Sequence, residues 1–200
     1  HPLRSLTQVL HLLVECSIGK LIYAPQNSFY LKRSKNLETG GDMYKNILLP
    51  TDGSECSEEA AKKGVSLAKA LNARVTALYV TPKLSYHDFL DVYHPDVLWG
   101  PKEAEKAKKA LTDLEELNKS IAEKYLSVIE NITKEAGVPC ECVYITDESP
   151  TDGIIKVAKE KGCDLIFMAC HGRTGIRGVL LGSVTLKVLA HSVIPVLVYR

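Results

Sequence analysis

The chain has almost no net charge. Its 200 residues carry 25 Lys+Arg against 24 Asp+Glu, a formal +1. No global basic field is present to hold DNA or RNA by counterion release. Nucleic acid is therefore not an expected partner, and an anionic ligand needs a local site. Cysteine is badly spaced for metal. The six are Cys16, Cys56, Cys140, Cys142, Cys163 and Cys170. Cys140 and Cys142 form C-x-C, with no second pair and no H-x3-H to complete a zinc or redox motif. The chain is also too long and too rich in core residues to need disulfide staples. The cysteines are expected to be reduced, mostly buried thiols of a cytoplasmic protein. Long apolar runs are missing too. Leu3–Leu13 is too short and too interrupted to span a membrane, and it lacks the basic start and small-x-small cleavage site of a secretory signal. Neither G-x-x-x-x-G-K-[ST] nor a G-x-G-x-x-G after the first strand occurs, which excludes Walker and Rossmann loops.

What is present reads as one globular domain with a tail. Hydrophobic residues make up 46% and charged residues 24%, which excludes a wholly disordered chain or a collagen-like repeat. Residues 1–42 differ from the rest. They hold five basic residues (Arg4, Lys20, Lys32, Arg33, Lys35) and three acidic ones (Glu15, Glu38, Asp42), so they carry +2 and leave −1 for residues 43–200. Gly40-Gly41-Asp42 stands directly before Met43, and codons for these residues can spell a ribosome-binding sequence. Two expectations stay open for residues 1–42: a real, poorly structured extension, or upstream, non-native sequence translated ahead of a natural start at Met43.

From Met43 strand and helix signals alternate. Lys45–Thr51 is a short apolar run feeding the loop Pro-Thr-Asp-Gly-Ser and predicts a buried strand. Ser57–Leu71 predicts a helix, with Ser57 as N-cap and Glu58 and Glu59 in the first turn. Arg74–Val80 is a second strand. Thr81–Pro101 is a long connection rich in Pro and aromatics, of the kind that serves as a functional flap or is disordered. Lys102–Ala136 predicts a long amphipathic helix with the stripe Ala107, Leu111, Leu114, Asn118, Ile121, Tyr125, Val128 and Ile132. It is expected to lie on the sheet rather than in a coiled coil. Gly137 and Pro139 stop it. Cys140–Thr146, Asp164–Cys170 and Pro195–Tyr199 predict three more strands, and Pro150–Lys161 and Ser183–Ser192 two more helices. The pattern predicts an α/β fold: an open five-stranded parallel sheet with helices on both faces.

Ligands of such sheets bind beyond the carboxyl ends of the strands. Two segments there have suitable chemistry. One is Pro50-Thr51-Asp52-Gly53-Ser54. The other runs from Ala169 to Ser183 and contains Gly172, Gly175, Gly178 and Gly182. Its glycines permit close backbone approach, and the N–H groups at the start of the next helix favour an anion. Ser183 and Thr185 offer hydroxyl donors, Arg173 and Arg177 charge-assisted contacts. A plain strand-to-helix connection with turn glycines would use the same residues, so both readings stand.

Three stretches then carry a resemblance: MYKNILLPTDGSECSEEA, RVTALYV and MACHGRTGIRGVLLGSVTLKVLAHSVIPVLVYR. From Met43 to Arg200 the chain resembles the universal stress protein A family, in its ATP-binding branch. That branch shows G-x-x-G-x9-G-[ST]; here Gly172, nine residues and Gly182-Ser183 match, while Ala169 replaces the first glycine and adds a methyl where a ribose or α-phosphate would pass. The resemblance implies an adenine nucleotide α-hydrolase-like fold and ATP, or AMP, bound with Mg²⁺. It implies Pro50, Thr51 and Asp52 at the adenosine end, Val80 beside adenine, and Met168 and Ala169 flanking the nucleoside. Gly172, Arg173, Gly182, Ser183, Val184 and Thr185 then surround the phosphates. It further implies a homodimer paired through the last strand, which would cover an apolar edge.

Several residues admit blander roles. Asp52 could cap the Gly53-Ser54 turn. His171 is expected to orient its loop rather than do acid–base chemistry, and Asp147-Glu148 to cap the next helix rather than hold a metal. Tyr86, Tyr93 and Trp99 suit either a lid over a base or a dimer interface. The function expected is a nucleotide-dependent regulatory module of the stress response. The alternatives are a slow ATP hydrolase and a dimeric interaction protein without nucleotide. The related α-hydrolases use S-G-G-x-D-S after the first strand, whereas this chain has P-T-D-G-S.

Overall fold

A computed structural model describes residues 29–32, 44–83, 101–170 and 181–200. The segment Leu3–Leu13, Cys16, the aromatics Tyr86, Tyr93 and Trp99, and the loop residues His171, Gly172, Arg173, Gly175, Arg177 and Gly178 lie outside them. The elements are β1 (Phe29–Lys32), β2 (Asn46–Thr51), α1 (Glu55–Ala70), β3 (Arg74–Pro82), α2 (Pro101–Ala136), β4 (Cys140–Asp147), α3 (Pro150–Glu160), β5 (Leu165–Ala169), α4 (Ser183–His191) and β6 (Val196–Tyr199). The sheet order is β1-β6-β5-β2-β3-β4. The five strands β2 to β6 are parallel, as the alternating pattern predicts. Strand order reverses between β2 and β5, the place where such sheets bind ligands.

The strands alternate their side chains between two core layers, as the pleat requires. Ile47, Leu49, Val75, Ala77, Tyr79, Leu165 and Phe167 face α1 and α2. Leu48, Leu78, Ile166, Met168, Val196 and Val198 face α3 and α4. Ile47, Leu48, Leu78, Leu165 and Ile166 are fully buried, each contributing about 1.5–3 kcal/mol of burial energy. Helix α1 lies very close to the sheet because Gly64 has no side chain. A Cβ there would sit 2.5 Å from Leu49 Cδ2 and 3.2 Å from Phe167 Cδ1.

Four expectations are corrected. The N-cap of α1 is Ser54, not Ser57: Ser54 Oγ accepts from the Ser57 N–H at 3.2 Å. The fully buried line of α2 is Ala122, Leu126, Ile129 and Thr133; the predicted stripe is offset by one residue, so that Ile121, Tyr125 and Ile132 flank the contact. Only Cys163 and Cys170 of the five described cysteines are buried. Cys56 sits on the outer face of α1, and Cys142 is on the edge strand β4, where partial burial and the neighbouring Cys140 push its thiol up to about 12. Last, β6 does not present an open edge. β1, which the sequence did not reveal, pairs with it antiparallel, from Phe29↔Tyr199 to Lys32↔Val196.

Candidate functional site

The carboxyl ends of β2, β3 and β5 and the amino ends of α3 and α4 enclose a cavity of about 260 Å³. Ten of the twelve residues expected at the site line it: Pro50, Thr51, Asp52, Val80, Met168, Ala169, Gly182, Ser183, Val184 and Thr185. Gly172 and Arg173 lie outside the described residues. Ser57, Leu78, Pro150 and Ile154 complete the wall, and sequence reasoning assigned none of them to it. Helical periodicity reveals only that Ile154 is buried. That α3 starts over β3 follows from Gly153, where a Cβ would meet Val80 Cγ1 at 2.9 Å and Ile145 Cδ1 at 3.1 Å.

One wall is a tightly hydrogen-bonded turn. Asp52 Oδ1 accepts from the Ser54 N–H at 3.1 Å and from the Ser54 hydroxyl at 2.6 Å. Thr51 Oγ1 accepts from the Gly53 N–H at 3.1 Å and stands 3.0 Å from Ser57 Oγ. The Ser57 hydroxyl donates to the Ser54 carbonyl at 2.8 Å. Gly53 is held at φ +77 beneath the Tyr125 ring, and a Cβ there would fall 2.3 Å from it. Tyr125 in turn packs against Tyr79, with ring centroids 5.5 Å apart. Asp52 thus orders the turn and also lines the cavity.

The opposite wall is the start of α4, and it is organised differently. Gly182 is the N-cap, no side chain caps the helix, and its first turn holds no acidic residue. Gly182 N–H donates to the Cys170 carbonyl at 2.7 Å, and the first intrahelical bond is Leu186 N–H to Gly182 O at 2.9 Å. The N–H groups of Ser183, Val184 and Thr185 therefore have no intrahelical acceptor. Together with the helix dipole they make a positive patch to which, among the described residues lining the cavity, no basic side chain contributes. Thr185 departs from expectation. It is buried, and its hydroxyl donates to the Ala169 carbonyl at 3.0 Å, so that donor is spent on holding α4 to β5. Ser183 is exposed and keeps its hydroxyl at the mouth. Ala169 lines the cavity and also packs in the buried cluster facing α1 and α2. Asp147 serves a turn, its Oδ1 accepting from the Ser149 N–H at 3.3 Å. Among the described residues no three metal-ligating side chains cluster, and no helix is long and apolar enough to cross a membrane.

A family model described as the universal stress protein family matches residues 43–200. The chain belongs to that family. Universal stress protein MJ0577 of Methanocaldococcus jannaschii is 34% identical over 162 residues, covering 79% of this chain and 96% of the relative. The solved structure of MJ0577 superposes with a TM-score of 0.60 at 28% identity, over 78% of this chain and 95% of that one. Two further universal stress protein structures share the fold. One is a complex with cAMP (TM-score 0.53, 22% identity, 78% of this chain and 95% of that one). The other is the Archaeoglobus fulgidus protein in complex with dAMP (TM-score 0.51, 18% identity, 78% and 98%).

Proposed function

We propose that this universal stress protein is an ATP-binding regulatory module of the stress response, acting in the cytoplasm, with AMP as a weaker ligand of the same cavity. The observation that carries the reading is the uncapped, non-acidic start of α4 facing a partly open cavity. A phosphate chain suits that wall, since it supplies acceptors to three main-chain N–H groups that have none within the helix. The apolar wall of Leu78, Val80, Ile154 and Met168 suits a base. The complexes of two fold relatives with cAMP and dAMP support an adenine nucleotide.

Mg²⁺ fits this donor set only as an ion brought in on the phosphates. The described lining offers one carboxylate, Asp52, and Mg²⁺ commonly combines one or two carboxylates with substrate phosphates and water. The loop after the first strand of the domain reads P-T-D-G-S where the related α-hydrolases carry S-G-G-x-D-S, which favours binding over rapid turnover. A homodimer joined along β6 belongs to the same proposal, on the condition that β1 leaves that edge.

Calorimetry with ATP, AMP and cyclic AMP tests the reading. One ATP should bind per chain, and Gly182→Val should abolish binding by filling the approach to the amides. Unchanged affinity in that variant would refute the cradle, and turnover near about one per second, within the ordinary enzyme range, would make the protein an ATP hydrolase instead.

A further inference from the structure

We propose that β1 is a built-in cover for the rim of β6, holding the place that a second copy of this chain would take. The proposal rests on the pairing of two copies along β6 stated above. The five parallel strands end on one side at β6, whose Val196, Leu197 and Val198 are buried. Left open, its rim would offer a row of main-chain donors and acceptors backed by an apolar strand, a template for another chain. β1 fills that row with four residues in antiparallel register, Phe29↔Tyr199, Tyr30↔Val198, Leu31↔Leu197 and Lys32↔Val196.

The direction of β1 matters. Two copies related by a two-fold axis perpendicular to the sheet bring identical edge strands together antiparallel. A second copy's β6 would therefore run along this rim in the direction that β1 already takes. The two occupants use the same donors and acceptors and exclude each other. β1 has the advantage of belonging to the same chain, where a tethered segment has an effective concentration on the order of mM. It is also short, four residues, so it can be released at modest cost. On this account residues 29–32 set how readily the protein assembles, and the nucleotide cavity plays no part in the competition.

The test uses the full chain. Successive residues of a strand turn their N–H groups alternately toward and away from the neighbour, so Tyr30→Pro with Leu31→Pro removes at least one ladder donor. Sedimentation should show the unmodified chain as a monomer at micromolar concentration, and the double-proline variant as a dimer with a dissociation constant at least about tenfold lower. A second variant, Phe29→Cys with Tyr199→Cys, joins the paired positions. Once oxidised, it should stay monomeric where the proline variant is dimeric. Amide exchange at Val196–Tyr199 separates the failures. A monomeric proline variant with those amides still protected would show that β1 is not the cover. A monomeric variant with them unprotected would refute pairing along β6 itself. A dimer that persists in the oxidised form would place assembly elsewhere and overturn the proposal.

Discussion

Two helices begin at the same end of the sheet, about the same cavity, and they begin in opposite ways. α1 is capped by the Ser54 side chain and carries Glu55 and Glu58 in its first turn. Its dipole and orphan donors are answered from within the chain. α4 begins on Gly182 with no side-chain cap and no acidic residue. The first arrangement stabilises the fold, and the second leaves donors for a ligand. The difference shows that a helix start becomes a binding wall through what the sequence omits there.

The largest effect expected from breaking this contrast is Gly182→Val. The φ of −67 at Gly182 is open to any residue, so the fold should tolerate valine, while ATP affinity falls by at least ~100-fold, about 2.7 kcal/mol. Calorimetry paired with thermal unfolding separates the two. Next comes Gly53→Ala on the ordered wall. It forces both a positive φ and a clash with Tyr125, and chemical denaturation should show a loss of about 2–3 kcal/mol. Ser183→Asp copies the acidic start of α1 onto α4. Stability should rise by about 0.3–1 kcal/mol as the carboxylate meets the helix dipole, while ATP affinity falls at least ~10-fold as it meets the phosphates. Effects of one sign in both assays would break the comparison. Ser54→Ala is the mirror experiment: a stability loss of about 1 kcal/mol with little change in ATP affinity. Smallest is Ala169→Gly. The Ala169 methyl packs in the layer facing α1 and α2, so ATP affinity should shift by less than ~3-fold, under about 0.7 kcal/mol.

The parallel sheet was legible because its inner strands are buried on both faces. Runs such as Leu165–Ala169 have no polar side to blur them, and the helices between carry their own period. The two loops of the site were legible because Pro50–Ser54 and Gly182-Ser183 combine turn residues with hydroxyls, one at a strand end and the other at a helix start. β1 was not legible. Four residues carry little period, and their partner strand lies some 165 positions later in the chain, so only tertiary pairing defines them. The choice between Ser54 and Ser57 as cap turned on a single hydrogen bond that both positions could have made. The role of Thr185 turned on the nearby Ala169 carbonyl, which no spacing rule reveals. Ser57, Pro150 and Ile154 reach the cavity wall only because α1 and α3 start over neighbouring strands.

Amide NMR shifts of Ser183, Val184 and Thr185 during an ATP titration of the full chain report whether the start of α4 holds the phosphates. The account predicts that these three move together and saturate with one equivalent of nucleotide, with Gly182→Val abolishing the change. ATP binding that leaves all three unmoved would contradict it.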